Sequence, residues 1–317
     1  MSAQGVCSAC GRLGLRPHLR VAGEIGPDGL IPSTDRFGSA LADIARCPGC
    51  SHMQLDPMPD EAMLATAYAE AQSEDYIDEE AGQRATARRA LERIEAHVGH
   101  GGAILDLGCW VGFLLAEARE RGWRTVGVEP SEFGSGYARD ELGLEVLTSD
   151  LFSAQLPPSS FDAIVMGDVL EHLVSPGRAL GRLRELLAPG GVVWLAVPDA
   201  GSRVARVMGK RWWSVLPTHV QYFTRGSLAT LLARHGFEQL ESSTAPKAFT
   251  VGYYLERIGG YSPAAGRALA RAAGAVGIAE RMWAPDFRDR LAVIAGVRCP
   301  SPAAAKEPRP DASTLTA

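Results

Sequence analysis

The sequence predicts an α/β protein built on a doubly wound, mostly parallel sheet of seven strands, with a small cysteine-bearing module in front of it. Three observations predict this. From residue 103 to 297, short apolar segments alternate with segments of helical length, the pattern of strands covered on both faces by helices. Ahead of them stand two C-x2-C pairs, Cys7 with Cys10 and Cys47 with Cys50. Between the second pair and the first strand, apolar residues recur at three- and four-residue spacing, the helical period.

The elements follow in chain order. Each C-x2-C places two thiols about one tight turn apart, and two such knuckles together complete a tetrahedral four-sulfur site. Turn signals at Gly26-Pro27-Asp28-Gly29 and Ile31-Pro32-Ser33 predict a hairpin between them. Four cysteine ligands leave no open position, so a structural zinc is expected on Cys7, Cys10, Cys47 and Cys50, and residues 1–57 are read as a zinc ribbon. Residues 58–100 form a helical linker, with helices at Glu61 to Tyr68 and Ala81 to His97. Arg84, Arg88, Arg89 and Arg93 give the second helix a basic face, read as solvated beside Glu92 and Glu95, with contact to an anionic substrate as the alternative.

Within 101–299, strands are expected at Ala103 to Gly108, Arg124 to Val128, Glu145 to Leu147, Phe161 to Met166, Gly191 to Val197, Phe237 to Ser242 and Arg290 to Val297. Helices fill the gaps at Phe113 to Arg121, Glu132 to Leu142, Gly177 to Leu187 and Ser227 to His235, and inserted helices are expected over about 251–285. The tail 300–317, rich in Ala, Pro and Ser, is expected to be disordered.

Composition narrows the function. Thirty-two Lys and Arg against thirty-seven Asp and Glu give a net charge of −5, which supplies no overall attraction to phosphate backbones or anionic lipid. No apolar run approaches the roughly 18 residues of a membrane span, and Met1 to Arg20 lacks the apolar core of a signal peptide. The expected compartment is the cytoplasm, where cysteines are more often metal ligands than disulfides. The chain carries no G-x4-G-K-[ST], H-E-x-x-H or G-x-S-x-G motif, so phosphoryl transfer, zinc proteolysis and serine hydrolysis lose their usual supports.

In an open α/β sheet, ligands bind beyond the carboxyl ends of the strands. The first strand ends in Asp106-Leu-Gly108-Cys-Trp110-Val-Gly112, and the second ends in Glu129. Gly108 allows a sharp turn and close ligand approach, while Gly112 opens a helix whose amides favour an anionic group. Glu129 is placed to accept ribose hydroxyls. The dinucleotide fingerprint G-x-G-x-x-G is not met, and an aspartate before the glycines suits an ammonium group better than a pyrophosphate. That favours S-adenosylmethionine (SAM).

With these residues the sequence resembles the class I, Rossmann-like SAM-dependent methyltransferases. Asp106, Gly108 and Gly112 match the family's first motif, and Trp110 occupies its middle glycine position. Val128-Glu129-Pro130-Ser131 matches the ribose-binding segment, and Asp150-Leu151 the pair that frames the adenine. Phe161 to Leu173, containing Asp168, Glu171 and His172, matches the fourth strand and its loop, which implies Asp168 as a cofactor-binding residue, and Leu186 to Gly191 matches the turn before the fifth. The ribbon extends the resemblance to a bacterial subgroup acting on sugars and other small metabolites. The resemblance implies SAM as cofactor, a small-molecule methyl acceptor, and Tyr68 and Tyr76 on a segment leading over the cofactor, with Tyr76 helping to close its pocket or serving as a packing aromatic.

Methyl transfer is an in-line displacement, needing a base only where the nucleophile must lose a proton. The candidates are His172 and His219, each weighed against a purely structural role. Trp212, Trp213, Tyr222 and Phe223 either stack on a planar or sugar substrate or anchor the loop to the core. Two other functions fit the same features: an RNA-modifying methyltransferase that uses the ribbon for recognition, and a non-catalytic SAM-fold scaffold. The acidic balance disfavours the first.

Overall fold

The computed structural model describes residues 5–23, 37–72 and 75–298, with the side chains of residues 75 and 76 outside that description. The predicted hairpin turns at 26–33, Cys299, the tail from 300 and the Tyr76 side chain therefore lie outside the described residues.

The amino-terminal module carries strands β1 (Arg16–Leu19), β2 (Ile44–Arg46) and β3 (Met53–Leu55), paired antiparallel. Helix α1 (Glu61–Ala69) follows, its first turn capped by Asp60, which accepts from the Ala62 N–H at 2.7 Å. A short helix α2 (Asp75–Asp78) leads into α3 (Glu80–Val98). Then come β4 (Gly102–Leu107), α4 (Phe113–Glu120), β5 (Trp123–Glu129), α5 (Glu132–Asp140), β6 (Val146–Thr148), β7 (Phe161–Gly167), α6 (Pro176–Leu186) and β8 (Leu187–Pro198). The last third holds α7 (Arg203–Met208), β9 (Gln221–Tyr222), α8 (Arg225–Arg234), β10 (Phe237–Thr244), β11 (Phe249–Thr250), α9 (Val251–Arg257), α10 (Pro263–Ala275), β12 (Met282–Trp283) and β13 (Arg290–Val297).

The seven-stranded sheet runs β10-β13-β8-β7-β4-β5-β6, and β13 runs antiparallel to both of its neighbours while the remaining pairings are parallel. The period-2 alternation of its strands is visible in the packing. On β7, Ile164 and Met166 pack with α6 and α8 residues such as Leu180 and Leu231, while Ala163 and Val165 face Leu91 and Ile94 of α3. The segment read as a linker thus supplies a covering helix. Its basic face is not simply solvated: Arg84 and Arg88 both pair with Glu117 of α4, at 3.2 and 2.9 Å.

Strand order reverses between β4 and β7, the topological switch at which such sheets bind ligands. The insertion differs from its expected form, since its helices end at Ala275 and β12 closes a two-stranded ribbon with β11. The cysteine module is also joined to the large domain, because β9 pairs antiparallel with β3 and completes the small sheet β1-β2-β3-β9.

Candidate functional site

The strand ends around the switch open on a cavity of about 1850 Å³. On one side the chain leaves β4 through Gly108, at φ 71°, whose N–H donates to the Val128 carbonyl at 2.8 Å. A Cβ on Gly108 would lie 2.6 Å from Val169, so the turn demands glycine on both conformational and steric grounds. Gly112 has the same two constraints, with φ 83° and Leu144 at 2.6 Å from a built Cβ. Trp110 also takes a left-handed φ, 49°, and its ring lies beside Phe133 with centroids 5.9 Å apart. Room for that ring comes from α5, where a Cβ on Gly134 would stand 3.1 Å from it.

Glu129 is held by backbone donors, Oε2 accepting from the Trp110 N–H at 2.8 Å and Oε1 from the Ser131 N–H at 2.9 Å. A carboxylate has about four acceptor positions, which leaves others for ligand hydroxyls. Burial raises its pKa. Asp106, 5% exposed, is pushed up to about 7 by burial and by the neighbouring Glu129 carboxylate. Asp150 is exposed, and its Oδ1 accepts from the Phe152 and Ser153 N–H groups at 2.7 and 3.0 Å. Although partial burial works upward on it, those bonds hold Asp150 below the ordinary carboxylate range. Leu151 is buried beside it.

The opposite side gathers residues from distant parts of the chain. Asp168, at the end of β7 with φ 57°, is bound by Lys247 Nζ at 2.7 Å and by Arg290 at 2.5 Å. Burial alone would raise its pKa, and the two cations drive it far below the ordinary range. Glu171 is 1% exposed and neither of its oxygens has a hydrogen-bond partner among the described residues. Burial and the Asp168 charge push its carboxyl well up. His172 Nδ1 lies 3.1 Å from the Thr218 carbonyl and is also hydrogen-bonded to the Tyr68 hydroxyl. Its ring stands edge-on to His219, centroids 4.6 Å apart. Burial brings His172 down to about 4, and burial with the neighbouring His172 takes His219 well below the usual histidine value. Both imidazoles are therefore neutral at neutral pH. The ligand atoms of Glu171, His172 and His219 lie within 4.8 Å of one another, as do those of the four cysteines.

In the cysteine cluster, Cys7 and Cys50 Sγ are 3.6 Å apart and those of Cys10 and Cys47 are 3.5 Å apart. A tetrahedron of thiolates around zinc has edges of about 3.8 Å, so the set fits a closed four-sulfur site. Each knuckle also turns a backbone N–H onto sulfur, Cys10 toward Cys7 at 3.5 Å and Gly49 toward Cys47 at 3.4 Å.

The structure thus brings Asp106, Gly108, Trp110, Glu129, Asp150, Leu151, Asp168, His172 and His219 to one cavity. Gly112 shapes its loop from behind. Of the four aromatics near His219, only Trp213 lines the cavity; Trp212, Tyr222 and Phe223 are 3%, 4% and 0% exposed and belong to the core. No sequence motif marks Lys247 or Arg290. Their one signal is that each stands beside a strand end, Arg290 opening β13 and Lys247 preceding β11.

Residues 79–242 match a family model described as a methyltransferase domain. A ubiquinone biosynthesis O-methyltransferase of Azoarcus sp. (strain BH72) is 34% identical over 113 residues, 33% of this chain and 48% of that protein. C-methyltransferase NovU of Streptomyces niveus is 27% identical over 214 residues, 64% of this chain and 48% of that protein. The chain spans about half the length of the curated relatives it matches. Among solved structures, a chain from the complex between the Haloferax volcanii Trm112 methyltransferase activator and a methyltransferase superposes with a TM-score of 0.51 at 18% identity. That match covers 76% of this chain and 99% of the other, and it is a likeness of fold.

Proposed function

The chain belongs to the methyltransferase-domain family, and on that premise we propose that it is a SAM-dependent methyltransferase acting on oxygen or carbon of a small, sugar-like or specialised metabolite. One observation carries this reading: a single cavity has the buried carboxyls Asp106 and Glu129 at adjacent strand ends on one side and the neutral imidazole of His219 on the other.

SAM would supply an electrophilic methyl on a sulfonium. Glu129 would receive the ribose hydroxyls on its remaining acceptor positions, and Asp106 would face the ammonium group. Asp150 and Leu151 would frame the adenine, and Gly108, Trp110 and Gly112 would shape the loop against the methionine end. Asp168, expected on the cofactor, has its carboxylate taken up by Lys247 and Arg290, and in this reading it holds the far strand end in place. His219 takes the proton that the acceptor loses as its new bond to carbon forms, and His172, tied to Tyr68 and Thr218, keeps the His219 ring in position. Cys7, Cys10, Cys47 and Cys50 hold a structural zinc. No helix among the described residues is long and apolar enough to cross a membrane, and we place the enzyme in the cytoplasm.

The test is calorimetry with S-adenosylhomocysteine (SAH) on protein that atomic absorption shows to carry one zinc per chain. Saturable binding, lost in Asp106→Ala and Glu129→Ala with circular dichroism unchanged, is the expected result; no binding to the zinc-loaded protein removes the reading.

A further inference from the structure

Beyond the histidines, the acceptor side of the cavity continues along a run of aromatic rings that the reading above does not use. Trp213, on the loop that carries His219, stands 5.8 Å from Phe287, and Phe287 stands 6.4 Å from Trp283. Trp283 meets Tyr254 at 5.5 Å, Tyr254 meets Tyr253 at 6.1 Å, and Tyr253 stacks on Phe249 at 4.2 Å. All six line the cavity.

These rings are held by polar anchors. Trp213 Nε1 donates to Asp289 at 2.8 Å, and the Tyr254 hydroxyl donates to the Lys247 carbonyl at 2.7 Å. Phe249 and Trp283 are register partners in the β11–β12 ribbon, and Thr250 beside them donates both its N–H and its hydroxyl to Glu79, at 2.9 and 2.7 Å. Yet Trp283 is 48% exposed and Phe287 44% exposed, so a fixed aromatic wall stands open to solvent. Contiguous apolar surface of this kind marks a binding site.

Size and polarity say what would cover it. A pocket for one small ligand holds about 300–1,000 Å³. The 1850 Å³ here leaves room for a second molecule of comparable size beside the cofactor. On this wall the Trp213 N–H and the Tyr254 hydroxyl are already committed to Asp289 and Lys247 and the two phenylalanines carry no polar atom, so what it offers a ligand is mainly ring surface. Aromatic faces and edges suit another flat ring system.

Resting on the SAM-dependent reading, we propose that the methyl acceptor is a planar fused-ring phenol or related aryl compound, whose flat body lies against the Trp213, Phe287 and Trp283 end of the arc while its nucleophilic atom reaches His219.

The experiment is calorimetry on full-length, zinc-loaded protein saturated with SAH, using 1,8-dihydroxyanthraquinone and 2-naphthol as planar probes and UDP-glucose as the sugar probe. Both planar probes should bind, the larger one more tightly, and Trp283→Ala and Phe287→Ala should each weaken the anthraquinone by about tenfold while SAH affinity stays unchanged. SAH binding with no planar probe bound, or UDP-glucose binding that Trp283→Ala leaves untouched, overturns this inference alone. Absence of SAH binding overturns the cofactor reading and this inference with it.

Discussion

The two walls of the cavity are built on opposite plans. The wall from 106 to 151 is local, and its carboxylates Glu129 and Asp150 are held by backbone N–H groups of their own or the adjacent strand-end loop, Trp110 and Ser131 on Glu129, Phe152 and Ser153 on Asp150. The facing wall is assembled across the chain, with Tyr68 and Thr218 on His172, and Lys247 and Arg290 on Asp168. In the first, the backbone fixes the geometry and a side chain can be changed without moving its neighbours. In the second, side chains fix one another, so a single change spreads along the wall.

The comparison breaks most visibly at His219. His219→Ala is expected to lower the methyl-transfer rate by about 10²–10⁴-fold, the span of a lost general base. SAH affinity, which the proposed reading assigns to the other wall, should stay within about twofold, as expected for sites without shared partners. A rate unchanged in His219→Ala, measured with radiolabelled SAM and an accepted aryl probe, would remove the base from the scheme. Because burial keeps His219 neutral well below its usual range, the acid limb of activity should not come from this residue.

It should come from the local wall. Asp106 titrates near about 7 in the cofactor-free protein, and only its ionised form pairs with an ammonium group. As pH falls below that value, SAH affinity is expected to drop by about tenfold per pH unit, and above it to level off. Calorimetry across this range checks the slope, which Asp106→Asn should flatten. Without ligand the sign reverses. The unfolded chain releases this proton near about 3.9, so the stabilising contribution of Asp106 is complete below that pH and is lost as pH rises to the folded value.

The same contrast decides what could be read from the sequence. The local wall was legible because Asp106, Gly108, Gly112 and Glu129 stand at the ends of strands whose apolar runs are themselves legible, so position in sequence gives position in space. Trp110 was legible as a departure, though not its accommodation, which depends on a glycine one turn into α5. The facing wall was only partly legible. His172 and His219 stood out as residue types, but no periodicity links Asp168 to Lys247 and Arg290. β9 is two residues long and pairs with β3 from the far end of the chain, too short for any pattern to show. That pairing sends Tyr222 into the core rather than toward substrate. In the insertion, helical spacing hid the β11–β12 ribbon that aligns the aromatic arc.

The smallest expected effect tests how far a change spreads in the assembled wall. Gln221, 1% exposed and two residues beyond His219, joins three parts of the structure through one amide. Its Oε1 accepts from His52 Nε2 at 2.9 Å, beside the second cysteine knuckle, and its Nε2 donates to Ser8 Oγ at 3.3 Å, beside the first. The same nitrogen donates to the Leu173 and Val174 carbonyls at 3.1 and 3.2 Å, in the loop that follows His172. Gln221→Leu keeps the volume but leaves buried partners unpaired, at a cost of about 1–3 kcal/mol. Its melting temperature should fall accordingly. If the cysteine module buttresses the acceptor wall, this variant should also lose several-fold in methyl-transfer rate, because about 1 kcal/mol of misplacement at a base is worth roughly fivefold. SAH affinity should not move, since no contact of Gln221 reaches Asp106, Glu129 or the loop between them. A variant that loses SAH binding and rate together would show that the two walls are coupled through the sheet and that the division drawn between them is too sharp.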